Sequence, residues 1–292
     1  MYYEINKLSY TPAEQLTFST VRIEADLSDG SLSTGTGFYF MYTAHKIPVI
    51  VTNKHVIKNA TSVRFSVNRS DENKNRLAET RQIEYIDFEV RQIPHPVDEV
   101  DLVVLPIGPE LNGMRGDGFN PYVMFLDATL IPASNLWSEL SPLEEVIMIG
   151  YPNGIWDSVN NLPVIRKGIT ATHANRDYNS KKEFLIDAAV FPGSSGSPVL
   201  VYNDGTYTTP RGVVLGRRIL LLGITYAVYQ STTTGELIVE EIPTQQKQIV
   251  KSSIPNNLGL VIRSTRLLEF EPLVENLIKK SDDEGQIDVS KF

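Results

Sequence analysis

Short runs of β-branched and aromatic residues, broken every few positions by Gly, Asn, Asp or Pro, recur from Thr17 to Ile242. A helix would show apolar residues at three- and four-residue spacing over several turns. Such spacing is missing until after Ser264. The runs are Thr17–Ala25, Gly37–Tyr42, Pro48–Thr52, Ser62–Val67, Ile83–Val90, Leu102–Pro106, Glu145–Gly150, Glu183–Val190, Val199–Tyr202, Ile219–Tyr229 and Leu237–Ile242. Many short strands with turn residues between them predict an all-β sandwich or barrels.

The 292 residues suffice for about two units at roughly 150 residues per domain. Gly108 to Pro121, rich in Gly, Asn and Asp, reads as the linker between them. This predicts an N-terminal segment 1–14, a first β-unit 15–120, a second 121–262, a helical segment 263–280 and a polar tail 281–292. In the helical segment Ser264 is placed to cap a turn through Phe270. Pro272 suits the next first turn, and Leu273, Val274, Leu277 and Ile278 form one apolar face.

Composition narrows the function. The net charge of −8 makes the chain a poor binder of nucleic acid, whose affinity rests largely on phosphates neutralised by Lys and Arg. The absence of cysteine excludes disulfides, thiolate nucleophiles and Cys-ligated zinc. No two of His45, His55, His95 and His173 are four apart, so a helical His pair for a metal is missing, and no metal or cofactor is expected. No apolar run approaches the roughly 20 residues of a membrane helix. Met1 to Tyr10 lacks a basic stretch followed by an apolar one, so a cytoplasmic chain with no membrane contact is expected.

Thr34-Gly-Thr-Gly37 has two glycines but no third at dinucleotide spacing; it reads as a turn where the backbone approaches something closely. The segment Phe191-Pro-Gly-Ser-Ser-Gly-Ser-Pro-Val199 is more informative. Gly193 allows its own N–H and that of Ser195 to point into one pocket, as stabilising an oxyanion requires. A serine nucleophile needs a base and a group to orient that base. His55 ends an apolar strand pattern and Asp101 opens another. Taken singly, these are also a plain turn, a satisfied core histidine and a strand-edge cap. The chain order matters, because every histidine precedes Ser195, which rules out the Ser, acid, His order of the α/β-hydrolases.

These segments resemble those of chymotrypsin-fold (trypsin-like) serine peptidases, nearest to the bacterial HtrA/DegP and V8-like branches. Val51-Thr-Asn-Lys-His-Val-Ile57 is similar to their Leu-Thr-Asn-x-His-Val-Ile. Asp101-Leu-Val-Val-Leu105 resembles Asp-Leu-Ala-Val-Leu. Ile186-Asp-Ala-Ala-Val-Phe-Pro-Gly-Ser-Ser-Gly-Ser-Pro198 resembles Thr-Asp-Ala-Ala-Ile-Asn-Pro-Gly-Asn-Ser-Gly-Gly-Pro. Val146–Pro152, Gly223-Ile-Thr and Asn257–Ile262 follow in the family's order, so the likeness runs over roughly residues 15 to 280.

The resemblance implies two six-stranded antiparallel β-barrels with a C-terminal helix and an active site in the cleft between the barrels. It implies Ser195 as nucleophile, His55 as general base, Asp101 as the residue fixing the imidazole, and Gly193 and Ser195 N–H groups as the oxyanion hole. A protein or peptide is the implied substrate. By the same likeness Ala188, Ala189, Val190 and Phe191, with Tyr226, Ala227 and Val228, line the pocket for the residue before the scissile bond.

Three departures stand out. No PDZ-type segment is expected to follow, Ser194 replaces the aspartate of trypsin-like zymogens, and Thr225 stands where V8-like enzymes carry a histidine. No zymogen cleavage is therefore expected, control falling to loop ordering or a regulatory partner. An apolar residue of medium size is expected in the pocket, which the insertion Gln230 to Ser253 could reshape. The alternatives are a silent peptidase fold used as a binding module and a subunit of a larger complex.

Overall fold

The computed structural model describes residues 10–44, 46–86, 91–232, 237–241 and 253–276. His45, the end of the predicted strand Ile83–Val90, Leu277, Ile278 and the predicted tail lie outside them.

Two sheets carry the fold, antiparallel throughout except where β9 joins the first. The first is nine-stranded and contains β1 (Thr20–Leu27), β2 (Leu32–Tyr42), β3 (Ile47–Thr52), β4 (Ala60–Ser70), β5 (Arg76–Ile86), β6 (Ile93–Pro94), β7 (Val103–Pro106), β8 (Pro121–Tyr122) and β9 (Leu126–Asp127). Its path is β5-β4-β1-β2-β3-β7-β6, with β8 on β4 and β9 parallel to β2. The second holds β10 (Glu145–Gly150), β11 (Val164–Thr170), β12 (Glu183–Asp187), β13 (Pro198–Thr209), β14 (Gly212–Thr232), β15 (Leu237–Glu241) and β16 (Ser253–Arg263). In it β13-β10-β11-β12-β16-β14 closes through β13–β14 into a six-stranded barrel, and β15 adds to the outer edge of β14.

The apolar runs are continuous, rather than strictly alternating, because several strands are buried on both faces. Side chains alternate faces along a strand. Thus Tyr39, Ile50, Val103 and Leu105 point into the first core, while Phe38, Phe40, Val49, Val51 and Val104 point out of it. On the second sheet Met148, Val199 and Leu222 point inward, and Ile149, Leu200 and Leu221 outward. The outward sets meet in a shared cluster at the seam, closed by Leu267, Phe270 and Val274. Each such buried side chain contributes about 1.5–3 kcal/mol. The seam is therefore a core in its own right, and it holds the two sheets in register for anything built across it.

Several sequence expectations are corrected. Thr17 ends a helix, α1 (Pro12–Thr17), so the first strand starts at Thr20. Thr11 and Glu14 form a reciprocal capping box with Pro12 behind the cap, a combination that nucleates a helical turn. The expected linker after Gly108 is a helix, Gly108–Gly116, whose Leu111 and Met114 pack into the first core. β8 and β9 then return to the first sheet, so that sheet runs to Asp127 rather than 120. Thr34–Gly37 is not a turn but the middle of β2. A Cβ at Gly35 would lie 2.5 Å from Val56 and one at Gly37 2.6 Å from Ile50, so the expected close approach is real. β13 and β14 reach beyond Tyr202 and Ile219 as a ribbon with exposed Val213 and Leu215. Ser264–Phe270 is a 3₁₀ turn whose start has no side-chain cap, and residues 271–276 follow as a helical turn. Among the described residues no helix is long and apolar enough to cross a membrane.

Among the described residues the labelled helices are α1, α2 (Lys54–Ile57), α3 (Gly108–Gly116) and α4 (Ser134–Glu139), with the helical turn 271–276 after them.

Candidate active site

His55 sits on α2, the single turn that follows β3. Asn53 precedes it in extended conformation, and Val56 and Ile57 are anchored in the first core, which leaves the imidazole facing the seam. Asp101 lies just before β7, the neighbour of β3 in the sheet. The Asn53 side-chain amide donates to the Asp101 carbonyl at 2.6 Å, and the His55 backbone N–H donates to Oδ1 at 3.1 Å. Oδ2 lies 2.5 Å from His55 Nδ1. A carboxylate only accepts, so Nδ1 carries the proton and Nε2 offers its lone pair. Nε2 is 2.8 Å from Ser195 Oγ. The three side chains, predicted from distant segments, form one chain of hydrogen bonds.

Ser195 arrives from the second sheet, three residues before β13. The turn before it closes on itself. The Ser194 N–H donates to the Phe191 carbonyl at 2.9 Å, and the Phe191 N–H to Ser194 Oγ at 3.3 Å. Pro192 and Gly193 occupy the turn's centre, with Gly193 at φ +87°, a conformation that favours glycine. The Pro192 carbonyl accepts from the Asn153 N–H. Carbonyl and N–H of a trans peptide point opposite ways, so the Gly193 N–H is turned away from Asn153. Gly196, at φ +85°, has no room for a side chain, because a Cβ would lie 1.9 Å from the Thr36 carbonyl oxygen. Beyond it the Gly196 N–H donates to the Thr225 carbonyl at 2.8 Å.

A hollow of about 550 Å³ opens beside the imidazole, lined by Lys54, His55, Lys58, Asp98, Glu99 and Asp101 among others. Among the described residues no cluster of three or more His, Cys, Asp or Glu could hold a metal ion.

The expected pocket wall is more buried than the sequence suggests. Ala188, Val190 and Val228 point into the second barrel's core, and Ala227 into a smaller cluster, so they offer backbone rather than side chains. Ala189, Phe191 and Tyr226 are partly exposed. Phe191 lies under the Arg166 guanidinium at 4.7 Å. The Tyr226 hydroxyl donates to Glu183 at 2.9 Å; burial pushes the Glu183 carboxyl up, against that bond. Thr225 is fully buried, its hydroxyl against Met148 Sδ at 3.3 Å.

His95, although it lies between Pro94 and Pro96, is buried. Its Nδ1 accepts from the Val97 N–H at 3.0 Å, its Nε2 faces the Arg266 carbonyl at 3.3 Å, and its ring meets Phe270 edge-on. His173 is half-buried and accepts from the Asn175 N–H. Asn153, Thr36 and Glu183 escaped the sequence reading. A residue that acts through its backbone or across the seam has no local motif.

The model of the family described as the trypsin-like peptidase domain matches residues 35–207, more than half of the chain. None of the curated proteins matches. Among solved structures, an HtrA-type protease, AlgW with tripeptide, is 16% identical with a TM-score of 0.47, covering 88% of this chain and 60% of its own. The serine endoprotease from Yersinia pestis is 19% identical, with a TM-score of 0.46 and coverage of 93% and 68%. A protease from M. tuberculosis in its active form is 13% identical, with a TM-score of 0.42 and coverage of 88% and 81%. The chain thus spans less than two thirds of the AlgW chain. The family match together with the two-sheet, all-β architecture places this chain in the trypsin-like peptidase domain family, with a chymotrypsin-like fold.

Proposed function

We propose that the chain is a serine endopeptidase acting through His55, Asp101 and Ser195. The observation that carries this reading is the unbroken hydrogen-bond chain from Asp101 Oδ2 through the imidazole to Ser195 Oγ. Ser195 Oγ attacks the peptide carbonyl carbon while Nε2 takes its proton, and Asp101 holds the ring and stabilises the imidazolium. The oxyanion is received by the N–H groups of Gly193 and Ser195. Collapse breaks the C–N bond, Nε2–H protonates the leaving amine, and an acyl-enzyme remains. Water then attacks the ester, giving its proton to Nε2, and the acid and Ser195 hydroxyl are regenerated. The self-closed Phe191–Ser194 turn supports a nucleophile loop that is ordered without zymogen cleavage.

The substrate is an extended protein or peptide segment. The partly exposed Ala189, Phe191 and Tyr226 support an uncharged, apolar residue before the scissile bond. One observation favours control by loop ordering. β15 pairs with β14 on the edge opposite β16, from Ser231↔Leu237 to Ala227↔Glu241, and so runs toward Thr225 beside the nucleophile loop. Extended peptides bind by adding a strand to such an edge. A substrate pairing with residues 226–228 has to displace β15.

A quenched-peptide library tests both parts. Wild type is expected to cleave after apolar residues and Ser195→Ala not at all. Replacing residues 233–252 with a Gly-Ser turn, which joins strands already paired at Thr232 and Ser253, is expected to raise the rate. Cleavage by Ser195→Ala would overturn the mechanism; an unchanged or lower rate in the shortened chain would overturn the role of β15.

A further inference from the structure

We infer that Thr36 is a positioning residue for the oxyanion hole, acting from the first sheet on a loop of the second. The inference rests on the peptidase reading above and extends it to a residue outside the triad.

Thr36 lies in the middle of β2 and is fully buried. Its backbone N–H donates to the Ser195 carbonyl at 2.8 Å. Its hydroxyl donates to the Gly193 carbonyl at 2.8 Å and accepts from the Tyr151 N–H at 3.0 Å. Its own carbonyl accepts from the Thr52 hydroxyl at 2.8 Å. The roles are unambiguous, since a carbonyl cannot donate and a backbone N–H cannot accept. Thr36 therefore holds the carbonyls of both residues whose N–H groups form the proposed hole. With Asn153 fixing the Pro192 carbonyl, both peptides flanking Gly193 are pinned, and so is the direction of its N–H.

The second sheet makes room for this contact. A Cβ at Gly150 would lie 2.7 Å from Thr36 Oγ1, and one at Gly196 would lie 1.9 Å from the Thr36 carbonyl oxygen. Two glycines thus bring the nucleophile side of the seam flush against this one threonine. The bonds of Thr36 run to Gly193, Tyr151, Ser195 and Thr52, whereas the imidazole is held by Asp101 from beside β7, which separates positioning of the hole from positioning of the base.

Thr36→Val keeps shape and backbone but removes the hydroxyl, leaving the Gly193 carbonyl and Tyr151 N–H without their partner. Losing an oxyanion donor outright costs about 10²–10³ in kcat. A donor retained but misaimed is expected to cost less, about 10- to 100-fold, with KM changed by no more than about threefold. Affinity for a peptidyl trifluoromethyl ketone, which forms a tetrahedral adduct on the serine, is expected to fall in step with kcat/KM. The low-field proton resonance of His55 Nδ1–H should persist. Thr36→Ser, which keeps the hydroxyl, is expected to restore the wild-type values to within about threefold; should Thr36→Val not fold, the smaller Thr36→Ala repeats the test. Wild-type kcat and ketone affinity in Thr36→Val or Thr36→Ala, or equal losses in Thr36→Ser, would overturn the inference while leaving the peptidase reading standing. A wild type that neither cleaves nor binds the ketone in a Ser195-dependent way would overturn that reading, and the inference with it.

Discussion

The seam that carries His55, Asp101 and Ser195 and the wall formed by residues 188–191 and 226–228 are built in opposite ways. At the seam each reacting side chain is fixed by short bonds from elements that are themselves buried. Asn53 and the His55 backbone hold Asp101, Asp101 holds the imidazole, and Thr36 holds the backbone around Ser195. At the wall, three of seven residues turn their side chains into the barrel and Ala227 turns into a smaller cluster, and β15 covers the adjoining edge. On the proposed reading, chemistry depends on a few groups locked by both cores, whereas selectivity depends on which strand occupies an edge. The first is hard to change without loss of function; the second is open to loops.

Perturbing the seam should therefore have the largest effects. Ser195→Ala and His55→Ala are each expected to lower kcat by about 10⁶, as in comparable serine peptidases, with melting temperatures near wild type. Turnover by either purified variant at more than a trace level would break the comparison. Asp101→Asn is expected to cost about 10⁴ by favouring the wrong tautomer, with KM almost unchanged. Steady-state kinetics on one good peptide measures all three.

The wall should respond more weakly and in preference rather than rate. Tyr226→Phe removes the bond to Glu183 without emptying the site. It is expected to lower kcat/KM on the best peptide by at most about 150-fold, since one neutral or charge-assisted hydrogen bond contributes about 0.5–3 kcal/mol and each 1.4 kcal/mol is tenfold. It should nonetheless reorder the library ranking at the position before the scissile bond. A loss comparable to Asp101→Asn would mean that Tyr226 belongs functionally to the seam.

The smallest expected effect concerns His95, a separate contact between the first sheet and the C-terminal turn. Burial pushes its pKa below the ordinary range, against the raising influence of Glu269 at 3.4 Å and with the Arg266 charge acting in the lowering sense. A lowered folded-state value means that the neutral ring's contribution is present above the unfolded value of about 6.5 and is lost as pH falls through the folded one. The urea midpoint of wild type should decline from pH 7 to pH 5, and less steeply in His95→Gln. Equal slopes would show that other groups control the acid limb.

The same contrast explains what the sequence revealed. Strands such as Val49-Ile50-Val51 were legible because burial on both faces leaves a continuous apolar run. The Phe191–Val199 loop was legible because its glycines answer a local demand, positive φ and missing space. α3 was hidden behind Gly113 and Gly116, which face open space, while Leu111 and Met114 supply too short an apolar stripe to announce a helix. His95 and Thr36 were hidden for another reason: their partners lie 171 and 157 residues away, at Arg266 and Gly193. The wall was legible only as a set of positions, because a likeness in sequence locates residues but does not say which way each side chain turns after a bulge such as that between Thr225 and Ala227.

The most direct test of the assembled seam is covalent labelling by a fluorophosphonate, read by intact mass. One adduct on wild type, mapped to Ser195, and none on Ser195→Ala is the predicted result, with labelling much slower in His55→Ala. Adduct on Ser195→Ala, or none on a folded chain from which β15 has been removed, would contradict the account.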